Sequence, residues 1–401
     1  MEGKQMKRHR RLMTGAAALA GFSLLLTGCA NGSEGAANAE GGTEAEEGRI
    51  AVSYDGGIAV LDGETLEVIE QFDTEQFTRL NAFGDGQHVV VTTSKGFQVL
   101  DTAAPELTDV VIEATAGGHV VRHDGKTVLF DDGTGTTTML DTKALLESDG
   151  ELPEVETHTA DSPHHGVSIV LEDGTLVTTV GTEESRTGAV ALHPHDDHWH
   201  EAASSDECPG IHGEGTAAEE AVIFGCENGA LLFKDGEFTK FTAPDEYGRM
   251  GNAFVSETSP IVVGDYTSDP DAEGYLLNAV TLIDTAAGTY DVVDLPDEVQ
   301  YTFRDVVRGP DDNAYILSSD GSIHVLDPAS GEIIDAFPVV ETWEGPSDWQ
   351  DAHPAIVTDG EVAYVTEPGS NAIHVVDLAT GDVQTSAEFD FTPNEIAVAA
   401  V

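Results

Sequence analysis

The chain has 401 residues, 40% hydrophobic and 23% charged, and a formal net charge of −57 from 17 Lys+Arg against 74 Asp+Glu. A surface this acidic repels nucleic acid and anionic lipid headgroups, which argues against both as partners of the folded part. The acidity alone marks no metal site, because solvated carboxylates account for it.

The chain opens with the basic "MEGKQMKRHRR", followed by an apolar run over residues 12–26 and "LTGC" at 26–29. A positive start, a short apolar stretch and small residues before the cut describe a secretory signal, too short for a comfortable membrane-spanning helix. "LTGC" resembles a bacterial lipoprotein box, which implies cleavage after residue 28 and lipidation of Cys29. The protein is then expected outside the cytoplasm, tethered to the cell membrane by its N-terminal lipid. Residues 30–48 are small, acidic and unpatterned, so segment 29–48 reads as the lipidated cysteine and a flexible tether. Residues 1–28 hold five of the Lys+Arg and one of the Asp+Glu, so the remainder carries 12 against 73.

From residue 49 onward, β-branched runs alternate with turns such as "YDGG", "HDGK", "EDGT", "KDGE" and "SDGS". Asp-Gly between apolar runs is a strong hairpin signal. A second phrase recurs as "IAVLDGETLEVIEQF", "IHVLDPASGEIIDAF" and "IHVVDLATGDVQTSAEF". Together they predict an all-β domain over 49–401, a β-propeller of about eight four-stranded blades of about 44 residues each. The terminal "NEIAVAAV" has the form of an opening strand with no blade after it, whereas "RIAVSYDGGIAVLD" starts at a second strand. The last strand is therefore expected to complete the first blade and close the ring.

On that frame several histidines fall near the beginning of opening strands, which line the channel. They are His119 in "GGHVVRHDGKTVLF", His164 and His165 in "SPHHGVSIVLEDGTLVTT", His212 in "CPGIHGEGTAAEEAVIFGC" and His353 in "QDAHPAIVTDGEVAYVTE". Contributed by different blades at one mouth, they supply converging imidazoles, the ligand set that suits tetrahedral Zn²⁺. His123 lies four residues past His119, roughly 13 Å along a regular strand, too far to share one ion with it. Glu214, Asp305 and Asp351 lie near the same mouth and rank lower, since acids are everywhere in this chain. His88, His324 and His374 fall in second or third strands and read as background. A further stretch, "HPHDDHWHE" at 193–201, carries His193, His195, His198 and His200. It reads as an auxiliary zinc-contacting arm on a flexible surface segment of the fourth unit, whose ordering would cost chain entropy. Cys208 and Cys226, 18 apart, are most simply a disulfide in an oxidising compartment, with a reactive dithiol or a metal site as alternatives.

"VVRHDG", "PHHGVSI", the pair "CPGIHGE" and "FGC", and "QDAH" resemble the corresponding stretches of AztD-type zinc metallochaperones. The resemblance runs from about residue 49 and is densest between 119 and 226. It implies a propeller that holds Zn²⁺ through histidines and passes it to the solute-binding protein of a zinc ABC importer. It also implies that Cys208 and Cys226 are paired, and it reaches His119, His123, His164, His165, His212 and His353 without saying which touch the metal. One departure is clear: the family's His/Asp-rich loop between the second and third units is matched here by "DTAAPELTDVVIEATAGG", which has no histidine.

Two other functions fit a propeller. One is an enzyme, a lactonase or dehydrogenase with a metal at the channel mouth; no nucleophile pattern such as G-x-S-x-G supports it, and no catalytic residue is expected. The other is an interaction scaffold that binds no metal. The expectation is a monomeric zinc carrier.

Overall fold

The computed structural model describes residues 49–399 apart from 149, 196, 197, 273 and 274. The expected signal, Cys29 and the tether lie outside the described residues. The described strands form eight separate four-stranded antiparallel sheets, with an extra two-residue strand beside one of them. They are the eight blades of a β-propeller, as the repeat predicted.

Chain order gives the blades directly. In blade 3 the strands are Gly117–His123, Lys126–Asp131, Thr136–Asp141 and Glu156–Thr159. Blade 4 follows with Ser168–Val170, Leu176–Gly181, Arg186–His195 and His198–Ser205, and blade 5 with His212–Ala217, Ala221–Cys226, Asn228–Lys234 and Glu237–Thr242. The ring closes as expected: Ile396–Val398 pairs with Arg49–Tyr54 in the register Ile50↔Val398, Ala51↔Ala397 and Val52↔Ile396. Closure gives blade 1 its fourth, inner strand and joins the last strand to the first blade, leaving only short blade edges.

Burial explains the sequence pattern. Each blade packs face to face on its neighbours, so second strands are buried on both faces and read as continuous apolar runs. Between blades 4 and 5, for example, Val167, Ile169 and Val177 meet Val222, Phe224 and Leu231. Outermost strands face solvent and are mostly exposed, as in Val68–Asp73. Several of the Asp-Gly turns are two-residue hairpins, whereas "EDGT" and "SDGS" close longer loops, between Val170 and Leu176 and between Leu317 and Ile323. His123 pairs with Lys126 around Asp124 (φ 42°) and Gly125 (φ 73°), the primed geometry that matches strand twist. The "VLD" phrase also has a local cause. Its aspartate ends the third strand and accepts backbone N–H groups two and three residues on, as Asp62 Oδ1 does from Glu64 and Thr65, and Asp377 Oδ1 from Ala379 and Thr380. Part of the acidity therefore closes turns.

Candidate metal centre

In an up-and-down blade the first and third strands run the same way, so both start at the same end of the propeller. Three of the expected histidines converge at that end. His119 is the third residue of Gly117–His123, His165 lies in the segment leading into Ser168–Val170, and His212 opens His212–Ala217. One ligand atom from each of the three rings lies within 4.8 Å of the others. The ring centroids are 4.9 Å (His119–His165), 5.1 Å (His119–His212) and 5.1 Å (His165–His212) apart.

Each ring is oriented by an acceptor on its Nδ1. His119 Nδ1 lies 2.8 Å from the Gly166 carbonyl, His212 Nδ1 lies 2.6 Å from the Gly251 carbonyl, and His165 Nδ1 lies 2.5 Å from Asp132 Oδ2. Carbonyl and carboxylate oxygens only accept, so all three Nδ1 atoms carry the proton and the lone pairs sit on Nε2. His165 Nε2 and His212 Nε2 face each other at 3.0 Å. Two lone pairs opposed at that distance repel, and a cation between them relieves the repulsion. Zn–N bonds of about 2.0–2.1 Å in a tetrahedron set the ligand nitrogens about 3.3 Å apart, so the rings need only a small outward adjustment.

The backbone is shaped to allow this. Gly213 has φ +59°, and a Cβ there would lie 2.3 Å from the Gly251 carbonyl oxygen that orients His212. The Cys208–Cys226 disulfide, with Cα atoms 5.0 Å apart, fixes the segment four residues before His212 to the second strand of blade 5. The Cys208 N–H donates to the Thr187 carbonyl of blade 4, tying the His212 leader to the neighbouring blade. Burial, reinforced by the charges of His212 and His165, pushes His119 down to about 3; burial pushes His212 down to about 4. Both rings stay neutral near pH 7, the form that binds metal.

The other expected ligands lie apart from this triad. His123 sits at the far end of its strand, its Nε2 2.6 Å from Glu220 Oε1. His164 is buried and pinned between the Ser162 carbonyl and Thr179 Oγ1, so it anchors the segment that presents His165. His353 lies 2.7 Å from the Asp351 carbonyl through Nδ1 and accepts from Arg304 Nε at its Nε2. His88, His324 and His374 each pair with a nearby carboxylate, which accounts for them structurally. Of the ranked carboxylates, Glu214 accepts from Thr216 Oγ1, Asp305 from the Thr302 N–H and Asp351 from the Asp348 N–H. The carboxylate that touches an imidazole of the triad, Asp132, escaped the sequence reading. Its only signal was the doubled aspartate of "FDDGT", one turn among many similar ones.

"HPHDDHWHE" differs from the expected flexible segment. Its histidines belong to the paired outer strands of blade 4, in the register His193↔His200, Pro194↔Trp199 and His195↔His198. Period-two alternation puts all four imidazoles on one face of this ribbon. Trp199 on the other face packs against the Val128, Met139, Val170, Leu176 and Leu192 cluster. The burial of Trp199 is the reason that the stretch pairs rather than floats. The ribbon is also at the other end of the propeller, because the third strand starts beside the triad at Arg186 and ends at His195.

No family model matches the chain. The zinc chaperone AztD of Citrobacter koseri is 24% identical to it over 288 residues, which is 72% of this chain and 66% of that protein's length. The solved structure of apo AztD from the same organism superposes with a TM-score of 0.71 at 20% identity, covering 87% of this chain and 96% of that one. The dihydro-heme d1 dehydrogenase NirN superposes with a TM-score of 0.61 at 12% identity, covering 88% and 75%. These likenesses establish the propeller.

Proposed function

We propose that this protein is an extracytoplasmic zinc metallochaperone that carries Zn²⁺ on His119, His165 and His212. Its destination is the solute-binding protein of a zinc ABC importer, and Cys29 supplies the lipid that holds the carrier at the cell membrane. The observation that carries the reading is the triad itself: three rings from three blades, each with Nδ1 held by an acceptor so that Nε2 faces inward. The named zinc chaperone among its relatives supports the choice of metal.

Three neutral imidazoles on rigid strands give a preformed site for a borderline cation, and the remaining tetrahedral corner is open to an incoming ligand. His165 is the exposed member, with 46% of its side chain accessible, while His119 and His212 are half-buried. An acceptor's ligand therefore enters on the His165 side, and His165 leaves the ion first. No bond of a substrate is made or broken, so the reading asks for no catalytic residue.

The test is zinc affinity by competition with a chromophoric chelator, with metal content measured on protein purified without added metal. One equivalent of zinc is expected on the triad, and replacing His165 and His212 together by Ala lowers the affinity at least ~100-fold. Undiminished affinity in the folded double variant refutes the triad as the carrier site.

A further inference from the structure

Two arginines beside the triad stand out in a chain with so few cations. The Arg186 carbonyl accepts the Gly210 N–H, and Arg249 Nη1 donates to the Gly210 carbonyl at 3.4 Å, so both flank the residue two before His212. Across its ladder Arg186 pairs with Gly181, whose position lies against the ring of His164, next to His165. Arg186 thus stands between the leaders of two triad histidines. Its Nη1 is buried and meets no hydrogen-bond acceptor among the described residues. Two other buried arginines are satisfied: Arg304 binds Asn394 and Glu395, and Arg308 binds the carbonyls of Phe254, Ile261 and Asp312.

Two neighbouring guanidiniums, one with a buried unmet donor, are unfavourable without an anion. Their proximity shows in the chemistry: Arg249 adds to the burial that lowers Arg186, and both arginines help to lower His212. Among the described residues no carboxylate forms a direct ion pair with either guanidinium; Glu227 and Asp132 act on Arg186, and Asp265 on Arg249, only through space. A divalent cation on three neutral rings adds two more positive charges at the same spot.

We propose that Arg186 and Arg249 form a carboxylate subsite beside the triad, which holds an exogenous carboxylate as the fourth ligand of the bound zinc. This rests on the zinc-carrier reading. The planar fork of a guanidinium matches a carboxylate, leaving its second oxygen for the metal. A monoanion suits the site better than phosphate, because the strongly negative chain repels each further negative charge. The carboxylate comes either from a small organic acid or from an Asp or Glu side chain of a docked protein. Either way, ion and anion bind with positive coupling, and withdrawal of the carboxylate loosens the ion.

The experiment measures zinc affinity of the whole protein at constant ionic strength, with acetate and with the blocked residue N-acetyl-aspartate amide as probes, against perchlorate. Wild type is expected to bind zinc about tenfold more tightly with saturating acetate. Arg186→Gln loses that enhancement, and its zinc affinity without acetate rises, because a cation has been removed from beside a cation. Arg186→Lys keeps the charge but not the fork, and retains little of the enhancement. A shift of the Arg186 side-chain NMR resonances on adding acetate to metal-free protein gives a readout independent of zinc. Enhancement by both probes supports the side-chain source, and enhancement by acetate alone supports a small acid. An equal acetate effect in wild type and Arg186→Gln, or none in wild type that still binds zinc, overturns the subsite while leaving the carrier reading intact. Loss of zinc binding at the triad overturns both.

Discussion

Asp132→Asn isolates the carboxylate that sets the His165 tautomer. Asp132 Oδ2 receives the His165 Nδ1–H at 2.5 Å and Oδ1 receives the Gly166 N–H at 3.2 Å, so two acceptors face two donors. An amide offers one acceptor and one donor. If its oxygen faces His165, its NH₂ opposes the Gly166 N–H; if its oxygen faces Gly166, the NH₂ donates to Nδ1 and moves the ring proton to Nε2. In the second case the new Nε2–H points at His212 Nε2, 3.0 Å away, and forms a hydrogen bond where the ion belongs. Zinc must then break that bond and reverse the tautomer. Loss of such an orienting partner lowers metal affinity ~10–100-fold, about 1.4–2.7 kcal/mol. The assay is chelator competition on the purified variant, with circular dichroism and thermal melting to show that it folds. Gly118→Ala attacks the same carboxylate differently, since its Cβ would lie 2.3 Å from Asp132 Oδ1, and a similar loss is expected. A folded Asp132→Asn within about twofold of wild type would refute the tautomer argument.

Replacing Cys208 and Cys226 together by Ser opens a loop closed over a separation of 18 residues; a loss of about 3 kcal/mol is expected by calorimetry, with weaker zinc binding because the His212 leader loosens. Changing His193, His195, His198 and His200 together to Ala leaves the triad's affinity unchanged in competition assays, because the ten-residue strand Arg186–His195 separates the two ends by about 30 Å. The pH dependence of stability tests Asp305, which burial raises to about 7. The native state holds a proton there that the unfolded chain releases near the ordinary carboxylate value, so its contribution to stability is present below that value and is lost as pH rises through about 7. Asp305→Asn is therefore expected to stabilise the protein relative to wild type at pH 8, by at least ~1–2 kcal/mol and with a higher melting temperature, and to change stability little at pH 3.

The sequence by itself determined the architecture. Short β-branched runs, Asp-Gly turns and the "VLD" phrase are local devices, and eight repetitions with an unpaired last strand leave only a closed ring. It also placed His119, His165 and His212 near one mouth, because position within a repeat translates directly into height along the channel. What it could not separate was His164 from His165, or His353 from the triad. Height is fixed within a blade, but which rings meet depends on how neighbouring blades lean together and on which donors they find there. His164 turns into Ser162 and Thr179 and His353 towards Arg304, while Asp132 and the carbonyls of Gly166 and Gly251 aim the other rings inward. Those orienting groups are either main chain or one acid among dozens, invisible in composition. The same limit misread "HPHDDHWHE": its four imidazoles suggested a free arm, but strand pairing and the anchoring of Trp199 made it an edge ribbon at the opposite end. Local chemistry is written in the residues, whereas convergence belongs to the contacts between blades.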